Sequence, residues 1–440
     1  VTLEDHFAGR MAALPGNPPT SLGVAVSGGG DSTALMHLAA GWARDRGVRL
    51  HIATVDHGLR TGSAAEARGV AAAADALGLS HTVLRWTGWD HRGNLQDAAR
   101  RARRQLLWDW SLGKVDHILM GHTMDDQAET VLRNLARGSG VAGLSGMAEL
   151  SRLTPPETAA QPSPATAPAA ALPWHAPWLF RPLLGIRRAA LRDWLSARGI
   201  DWCEDPSNDD PRFDRVRARQ ALATGAALGL TVEGLAATAG RMARAREALD
   251  RRAAEAAPGL SRVERGDVLF DRAGLRALDA ETRLHLIAQA LRWVASAEHR
   301  PRTAPLEQVS ADALDGRAGT LHGCTIAPEA AGIRIAREPK AVASLRTRAD
   351  RGAIWDRRWR LDSDGFAEME IGAVMPETIA DMDDWPATAP RRRRLAGYPA
   401  IFHGARLVAL PGIWGPPCTI TLAPPLGGFP DSLTLVMLSH

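Results

Sequence analysis

Six consecutive residues offer the sharpest chemistry in this sequence: Ser27-Gly28-Gly29-Gly30-Asp31-Ser32, between the apolar run Val24-Ala25-Val26 and a stretch of helical spacing over 33–43. Glycines let the backbone turn tightly and bring its N–H groups close to a ligand. The two serines add hydroxyl donors. A helix start adds a positive dipole end and further free N–H groups. Together these make a cradle for phosphate or pyrophosphate. Asp31 would repel such a ligand unless a divalent cation lay between them, so the segment calls for Mg²⁺. No GK[ST] follows, which excludes a Walker A loop, and Thr33 stands where a dinucleotide fingerprint needs its third glycine. Taken alone, the segment also fits a plain tight turn.

Two further segments follow apolar runs in the same way. Asp56, His57 and Arg60 stand in VDHGLR (55–60), after the run 51–55. They could line a ligand edge or form a polar loop that ends a strand. His122, Asp125 and Asp126 stand in 121–130, after the run 117–120. Asp125 or Asp126 could simply cap the helix that follows. A second carboxylate with His122 nearby exceeds what a cap needs, and an oxygen ligand for Mg²⁺ is the functional reading.

Two segments carry arginine. Residues 92–104 hold five arginines and one acid. A helix over 94–104 turns Leu95, Ala98, Ala99 and Ala102 inward, and Arg100, Arg103 and Arg104 can share its other face. That face is either solvated or meets nucleotide or nucleic-acid phosphate. Glu204-Asp205-Pro206-Ser207-Asn208 is strong turn chemistry, and Arg212, Phe213, Arg215, Arg217 and Arg219 follow it.

Elements that could position these segments come next. Short apolar runs at 24–26, 51–55, 81–86 and 117–120 alternate with helical spacing at 33–43 and 64–77. That alternation predicts βαβ units and a parallel sheet, whose ligands sit at the carboxyl ends of the strands. Residues 154–177 are rich in Pro and Ala and read as an extended insertion within the first domain. A helix from 188 should bury Leu191, Trp194 and Leu195. Residues 221–300 read as mostly helical, with Thr231 as a cap and a second helix over 282–295. From 301 to 440, short runs such as 332–335 and 407–410 separated by Gly and Pro read as a small β-rich module. The expected domains are therefore 1–220, 221–300 and 301–440.

Composition narrows the class. The 440 residues are 45% hydrophobic and 23% charged, an ordinary globular balance. No apolar run of 18 or more exists, so no membrane span is expected. The first 20 residues lack a basic start followed by an apolar core, so no secretory leader is expected. The three cysteines, Cys203, Cys324 and Cys418, are too far apart in sequence for a CxxC site or a disulfide framework. A cytoplasmic location is the expectation. The net charge is +4, and Lys114 and Lys340 are the only lysines among 53 basic side chains. An arginine excess of this kind reads first as a GC-rich genome and second as phosphate binding.

The SGGGDS loop resembles the pyrophosphate loop of the N-type ATP pyrophosphatases. VDHGLR (55–60), GNLQDAARRAR (93–103), the segment 121–147, FRPLLGIRRAALRDWL (180–195) and WCEDPSNDDPRFDR (202–215) are together similar to the tRNA(Ile)-lysidine synthetase family. The resemblance spans about residues 20–220. Paired cysteines of the tRNA-thiolation branch are missing. The resemblance implies a Rossmann-like PP-loop α/β domain, then a helical tRNA-facing domain and a small C-terminal module. It implies ATP as substrate, Mg²⁺, free L-lysine, and a tRNA(Ile) with a CAU anticodon as partner; a homodimer is among the assemblies open to it. The implied reaction adenylates C2 of the wobble cytidine, and the lysine amino group then displaces AMP. By resemblance, Ser27 to Ser32 bind pyrophosphate, Asp31 and Asp126 hold Mg²⁺, and Asp56 and His57 line the nucleotide pocket. Asn94, Arg100, Arg103 and His122 face the reacting centre. Arg60, Arg212 and Arg215 are candidates for tRNA. Gln96 stands where the family has an acid, Arg104 where it has an aromatic, and Arg215 and Arg219 depart from the family pattern after DPSN. Another PP-loop enzyme that adenylates a different carbonyl or base, and a non-catalytic RNA- or nucleotide-binding module, are the competing readings.

Overall fold

The computed structural model describes residues 2–14, 19–58, 62–87, 89, 95–153, 177–204, 212, 214–297, 299–330, 332–380, 382, 384–423 and 429. These form two compact units, one of residues 2–153 with 177–247, the other from 248 onward. Among the described residues no single helix is long and apolar enough to cross a membrane.

The first unit opens with α1 (Leu3–Met11) and then alternates strand and helix: β1 (Ser21–Ala25), α2 (Gly30–Arg44), β2 (Arg49–Asp56), α3 (Ser63–Ala76), β3 (Ser80–Arg85), α4 (Leu95–Ser111), β4 (His117–Met120) and α5 (Met124–Ala136). After α6 (Val141–Leu144) come β5 (Leu150–Arg152), β6 (Trp178–Phe180), α7 (Arg188–Ser196), α8 (Asp214–Gly225) and α9 (Val232–Leu260), whose residues from 248 on belong to the second unit. The sheet runs β3-β2-β1-β4-β6-β5, parallel except for β5 against β6.

The strands alternate their apolar side chains between two cores, as the two-residue period of a strand requires. Leu22, Val24, Leu50 and Ile52 pack with α1, α2 and α7, where Leu191 and Leu195 are fully buried. Ala25, Ala53, Val55 and Ile118 face the opposite core, with Leu107, Trp108 and Trp110 of α4. Burial on both faces explains why β1, β2 and β4 read as short continuous apolar runs. The chain leaves β1 toward β2 on one side and later returns to β4 on the other. Their shared carboxyl edge is the switch point where such folds leave a crevice.

The Pro/Ala-rich insertion lies almost wholly outside the described residues, but its two ends meet. Leu153 N donates to Pro177 O at 2.8 Å beside the antiparallel β5–β6 pair. An insertion that leaves and returns at one point of a sheet edge costs the sheet no strand register.

In the second unit, β7 (Ser261–Glu264) and β8 (Asp267–Asp271) fall inside the stretch read as helical. Arg265 and Gly266, both in the left-handed region (φ 49° and 80°), close a two-residue hairpin there. Then come α10 (Arg272–Ala277), α11 (Ala280–Ala295), α12 (Thr303–Leu314), β9 (Gly319–Leu321), β10 (Cys324–Pro328) and β11 (Gly332–Arg337). Strands β7-β8-β11-β10-β9 form an antiparallel sheet covered by α11 and α12. The remainder builds smaller antiparallel sheets of four and three strands around Trp355, Leu361 and Ile371. The PP-loop-type α/β domain followed by helices and a β-rich C-terminal region is the expected fold class.

Candidate functional site

Ser27, Gly28 and Gly29 form the turn from β1 into α2. Gly28 has φ +92°, a conformation that side chains other than glycine's rarely adopt. Its carbonyl accepts from Cys203 N at 2.9 Å and from Thr33 Oγ1 at 3.3 Å. Ser32 Oγ accepts from Ser27 N at 3.2 Å and donates to Gly29 O at 3.0 Å, so the loop is held by its own polar groups. Gly29 caps α2 without a side chain. The N–H groups of the helix's first turn therefore lack an intrahelical acceptor and face outward with the positive dipole end.

The loop after β4 lies against this turn. Thr123 is the N-cap of α5, in reciprocal bonds with Asp126: Thr123 N and Oγ1 each donate to Asp126 Oδ2 at 2.8 Å. The cap thus belongs to Thr123 rather than to Asp125 or Asp126. Asp125 instead accepts from Arg188 N at 2.8 Å and pairs with Arg187.

Arg188 joins the two loops. Its Nε donates to Asp31 Oδ2 at 2.8 Å and its Nη2 to Asp126 Oδ1 at 3.0 Å, while Nη1 lies 3.5 Å from Glu129 Oε1. Glu129, with a side chain only 4% exposed, also pairs with Arg219 at 3.1 Å. Burial opposes the Arg188 charge, but Asp126 and Asp31 outweigh it and hold the proton firmly. Burial raises the Asp31 carboxyl above its usual range against the pull of Arg188. Burial also works against ionised Asp126, yet Arg188, His122 and the Thr123 donors hold it below that range. Asp31 Oδ1 is buried and has no hydrogen-bond partner among the described residues. An orphaned carboxylate oxygen beside a second carboxylate fits a divalent cation, so Asp31 and Asp126 could hold Mg²⁺. Among the described residues, no group of three or more His, Cys, Asp or Glu side chains is arranged to hold a metal by protein ligands alone. Phosphate oxygens and water would have to complete the shell.

His122 borders a cleft lined also by Asp126, Glu129, Thr130, Arg133, Met147 and Arg215. Burial, reinforced by Arg181, pushes its imidazole down to about 3, and Asp126 only partly opposes this. The ring is neutral at pH 7. Burial and mutual repulsion lower the proton affinity of Arg103, Arg133 and Arg181, with Arg100, Arg104 and Arg215 among the repelling charges. Cations gathered this closely make a strong field for an anionic substrate.

At the end of β2, Asp56 Oδ1 accepts from Gly58 N at 2.9 Å, which holds its carboxyl low. His57 Nε2 lies 3.5 Å from Arg103 Nη2, and its ring meets Trp86 edge-on at 5.8 Å. Burial, then Arg103, pushes the imidazole down to about 4.

Most of the site residues read from the sequence therefore meet at this edge: the 27–32 loop, His122 and Asp126 at the centre, and Arg103 beside His57. Arg215 reaches the same cleft from α8. Arg212 is exposed, and its carbonyl accepts from Arg217 Nη1 at 3.1 Å. Arg60 and Asn94 lie outside the described residues, as do residues 205–211 and Phe213. Sequence reasoning missed Arg188 and Glu129. A signal existed for the first: Arg188 opens α7, where the helix dipole disfavours a cation.

The PP-loop domain family matches residues 3–225. A protein of Ruegeria pomeroyi named tRNA(Ile)-lysidine synthase is 43% identical over 410 residues, covering 93% of this chain and 92% of the relative. Proteins of the same name from a Bradyrhizobium species (40% identity; 69% of this chain, 81% of the relative) and a Methylobacterium species (41%; 71% and 85%) align over much of their length. With a PP-loop fold over half its length and a relative matched nearly end to end, the chain belongs to the tRNA(Ile)-lysidine synthase family.

Proposed function

We propose that this protein is an ATP-dependent ligase that joins L-lysine to C2 of cytidine 34 in the CAU anticodon of tRNA(Ile), forming lysidine and changing codon reading from AUG to AUA. The observation that carries the reading is the meeting of the β1 and β4 loops around Asp31, Asp126 and His122 in a chain matched nearly end to end by a lysidine synthase.

In the first step the cytidine C2 oxygen attacks the α-phosphorus of ATP. The α–β P–O bond breaks and pyrophosphate leaves. In the second, the lysine side-chain amine, in its neutral form, attacks C2. The C2–O bond breaks, AMP departs with that oxygen, and the new C–N bond remains after proton loss.

Charge accumulates on pyrophosphate in the first step. The Gly28–Gly30 backbone, the start of α2, Ser27 and Ser32 receive it, because preorganised donors are worth most where charge develops. Asp31 and Asp126 would hold Mg²⁺, which when bound neutralises phosphate charge. Asp56 and His57 line the nucleotide pocket. Arg103 and Arg100, with Asn94, are assigned to the reacting centre, where a guanidinium can meet AMP or the activated C2 oxygen. His122 stays neutral and offers a hydrogen bond without adding charge. Arg60, Arg212 and Arg215 are assigned to the tRNA backbone.

Incorporation of radiolabelled lysine into tRNA tests the reading. CAU-anticodon transcripts of isoleucine and methionine tRNAs are compared with ATP and Mg²⁺ present. Label in the isoleucine transcript alone is expected. Pyrophosphate release without label would leave an adenylating enzyme with another nucleophile, and neither signal would leave a binding module.

A further inference from the structure

Arg188 satisfies three acids with three different nitrogens. Nε meets Asp31 on α2, Nη2 meets Asp126 at the start of α5, and Nη1 faces Glu129 one turn further along α5. Two hydrogen-bond at 2.8 and 3.0 Å and the third lies at 3.5 Å, a geometry that the planar guanidinium fork allows and an ammonium does not. The base of the side chain is locked as well, since Arg188 N donates to Asp125 Oδ2 at 2.8 Å.

This cation sits at the first position of α7, against the helix dipole. Its own helix therefore gives it no reason to be there; the carboxylates do. Without it, Asp31 and Asp126 would face each other across the edge that must accept polyphosphate, with Glu129 behind them, Arg219 paired to Glu129 and Arg192 acting on Asp31. The guanidinium supplies positive charge where a divalent ion would otherwise be needed to keep these acids together.

We propose that Arg188 is a positioning residue that acts as a built-in cation for Asp31, Asp126 and Glu129, so that Mg²⁺ enters together with nucleotide rather than alone. The inference rests on the assignment of Asp31 and Asp126 to Mg²⁺. It assigns Arg188 two tasks: it keeps the β1 and β4 loops in register while the site is empty, and it competes with a bare metal ion for the same oxygens. When phosphates bring the metal, Asp31 Oδ1, which Arg188 leaves unpaired, is the oxygen ready to receive it.

The test needs neither tRNA nor lysine. Mn²⁺ binding is read by electron paramagnetic resonance, and melting temperature is read in EDTA and in Mg²⁺, for the full chain and for Arg188→Gln and Arg188→Lys. Wild type should bind Mn²⁺ weakly without ATP and gain little melting temperature from Mg²⁺. Arg188→Gln should melt lower in EDTA, recover with Mg²⁺, and bind Mn²⁺ at least tenfold more tightly. Arg188→Lys, with the charge but not the span, should fall between. Equal Mn²⁺ affinity in wild type and both variants, or an unchanged melting temperature in EDTA, would overturn the proposal. Should the Gln variant fail to fold in EDTA, the Lys variant decides: Mn²⁺ affinity equal to wild type overturns the proposal, and tighter binding upholds it. Lysine incorporation is scored separately, so loss of this inference and loss of the functional reading are distinguishable.

Discussion

A Cβ placed on Gly121 would lie 3.1 Å from the backbone nitrogen and Cα of Ser32. The loop after β4 thus rests directly on the first turn of α2, and backbone cannot rotate away as a side chain can. Gly121→Ala should force the two loops apart by a few tenths of an ångström. Overpacking of this kind costs about 1–3 kcal/mol. The larger effect should fall on chemistry, since misplacement of catalytic groups by ~1 Å can cost ~10²-fold. Melting temperature and tRNA-dependent pyrophosphate release measure the two effects. A variant that releases pyrophosphate at the wild-type rate would show that the contact does not set the loop.

Asp31→Ala removes the carboxylate assigned to the metal and leaves Arg188 with Asp126 and Glu129. Metal-dependent pyrophosphate release should fall by about 10²–10³, the usual cost of one lost electrostatic contact to developing charge, or ~2.7–4 kcal/mol. Asp31 is half-buried and its carboxyl is held above the usual range, so folding should suffer little. Turnover near that of wild type would remove Asp31 from the metal site.

His57 owes its low proton affinity first to burial and then to the neighbouring Arg103. Arg103→Gln removes the second cause and keeps the first. The His57 imidazole should rise from about 4 but stay below its ordinary 6.5, followed by NMR of the ring. A return to 6.5 would mean that charge, not burial, dominates. The paired change of Arg100 and Arg103 to Glu should weaken tRNA binding more than ATP binding. Filter binding of tRNA and nucleotide titration test this, and equal loss of both would indicate a structural role.

In the second unit, burial pushes the Asp267 carboxyl up to about 6, although Arg334 Nη1 donates to it at 3.0 Å and Arg358 is nearby. Glu264 on the adjoining strand adds to the rise. A raised carboxyl binds more protons folded than unfolded between pH 3.8 and about 6. Its contribution to stability is therefore full below the unfolded value and is lost as pH rises through about 6. Melting of the full chain should show this loss, on the order of a few degrees, and Asp267→Asn should flatten it. A variant with the same pH slope as wild type would assign the slope elsewhere.

How much of this was legible in the sequence follows the range of the interactions. The runs at 24–26, 51–55, 81–86 and 117–120 were readable as strands because β1, β2 and β4 are buried on both faces and β3 keeps β-branched and apolar residues. The 27–32 loop was readable because a tight phosphate turn needs glycine and hydroxyl side chains at adjacent positions. The β7–β8 hairpin was not, because Arg265 takes a left-handed conformation in which arginine gives no warning.

What the sequence determined by itself was therefore local: the loop, the strand–helix alternation, the cap-and-carboxylate segment after β4, and through their order the family. What tertiary structure alone decided was partnership. Asp31 and Asp126 are 95 positions apart in sequence, and Arg188 lies 157 from Asp31 and 62 from Asp126. No periodicity or propensity links such positions. They meet because the sheet order places β1 beside β4 and packs α7 against α2, so that one guanidinium reaches carboxylates on both loops. Composition supplied the charges, and only the fold determined which of them neutralise one another.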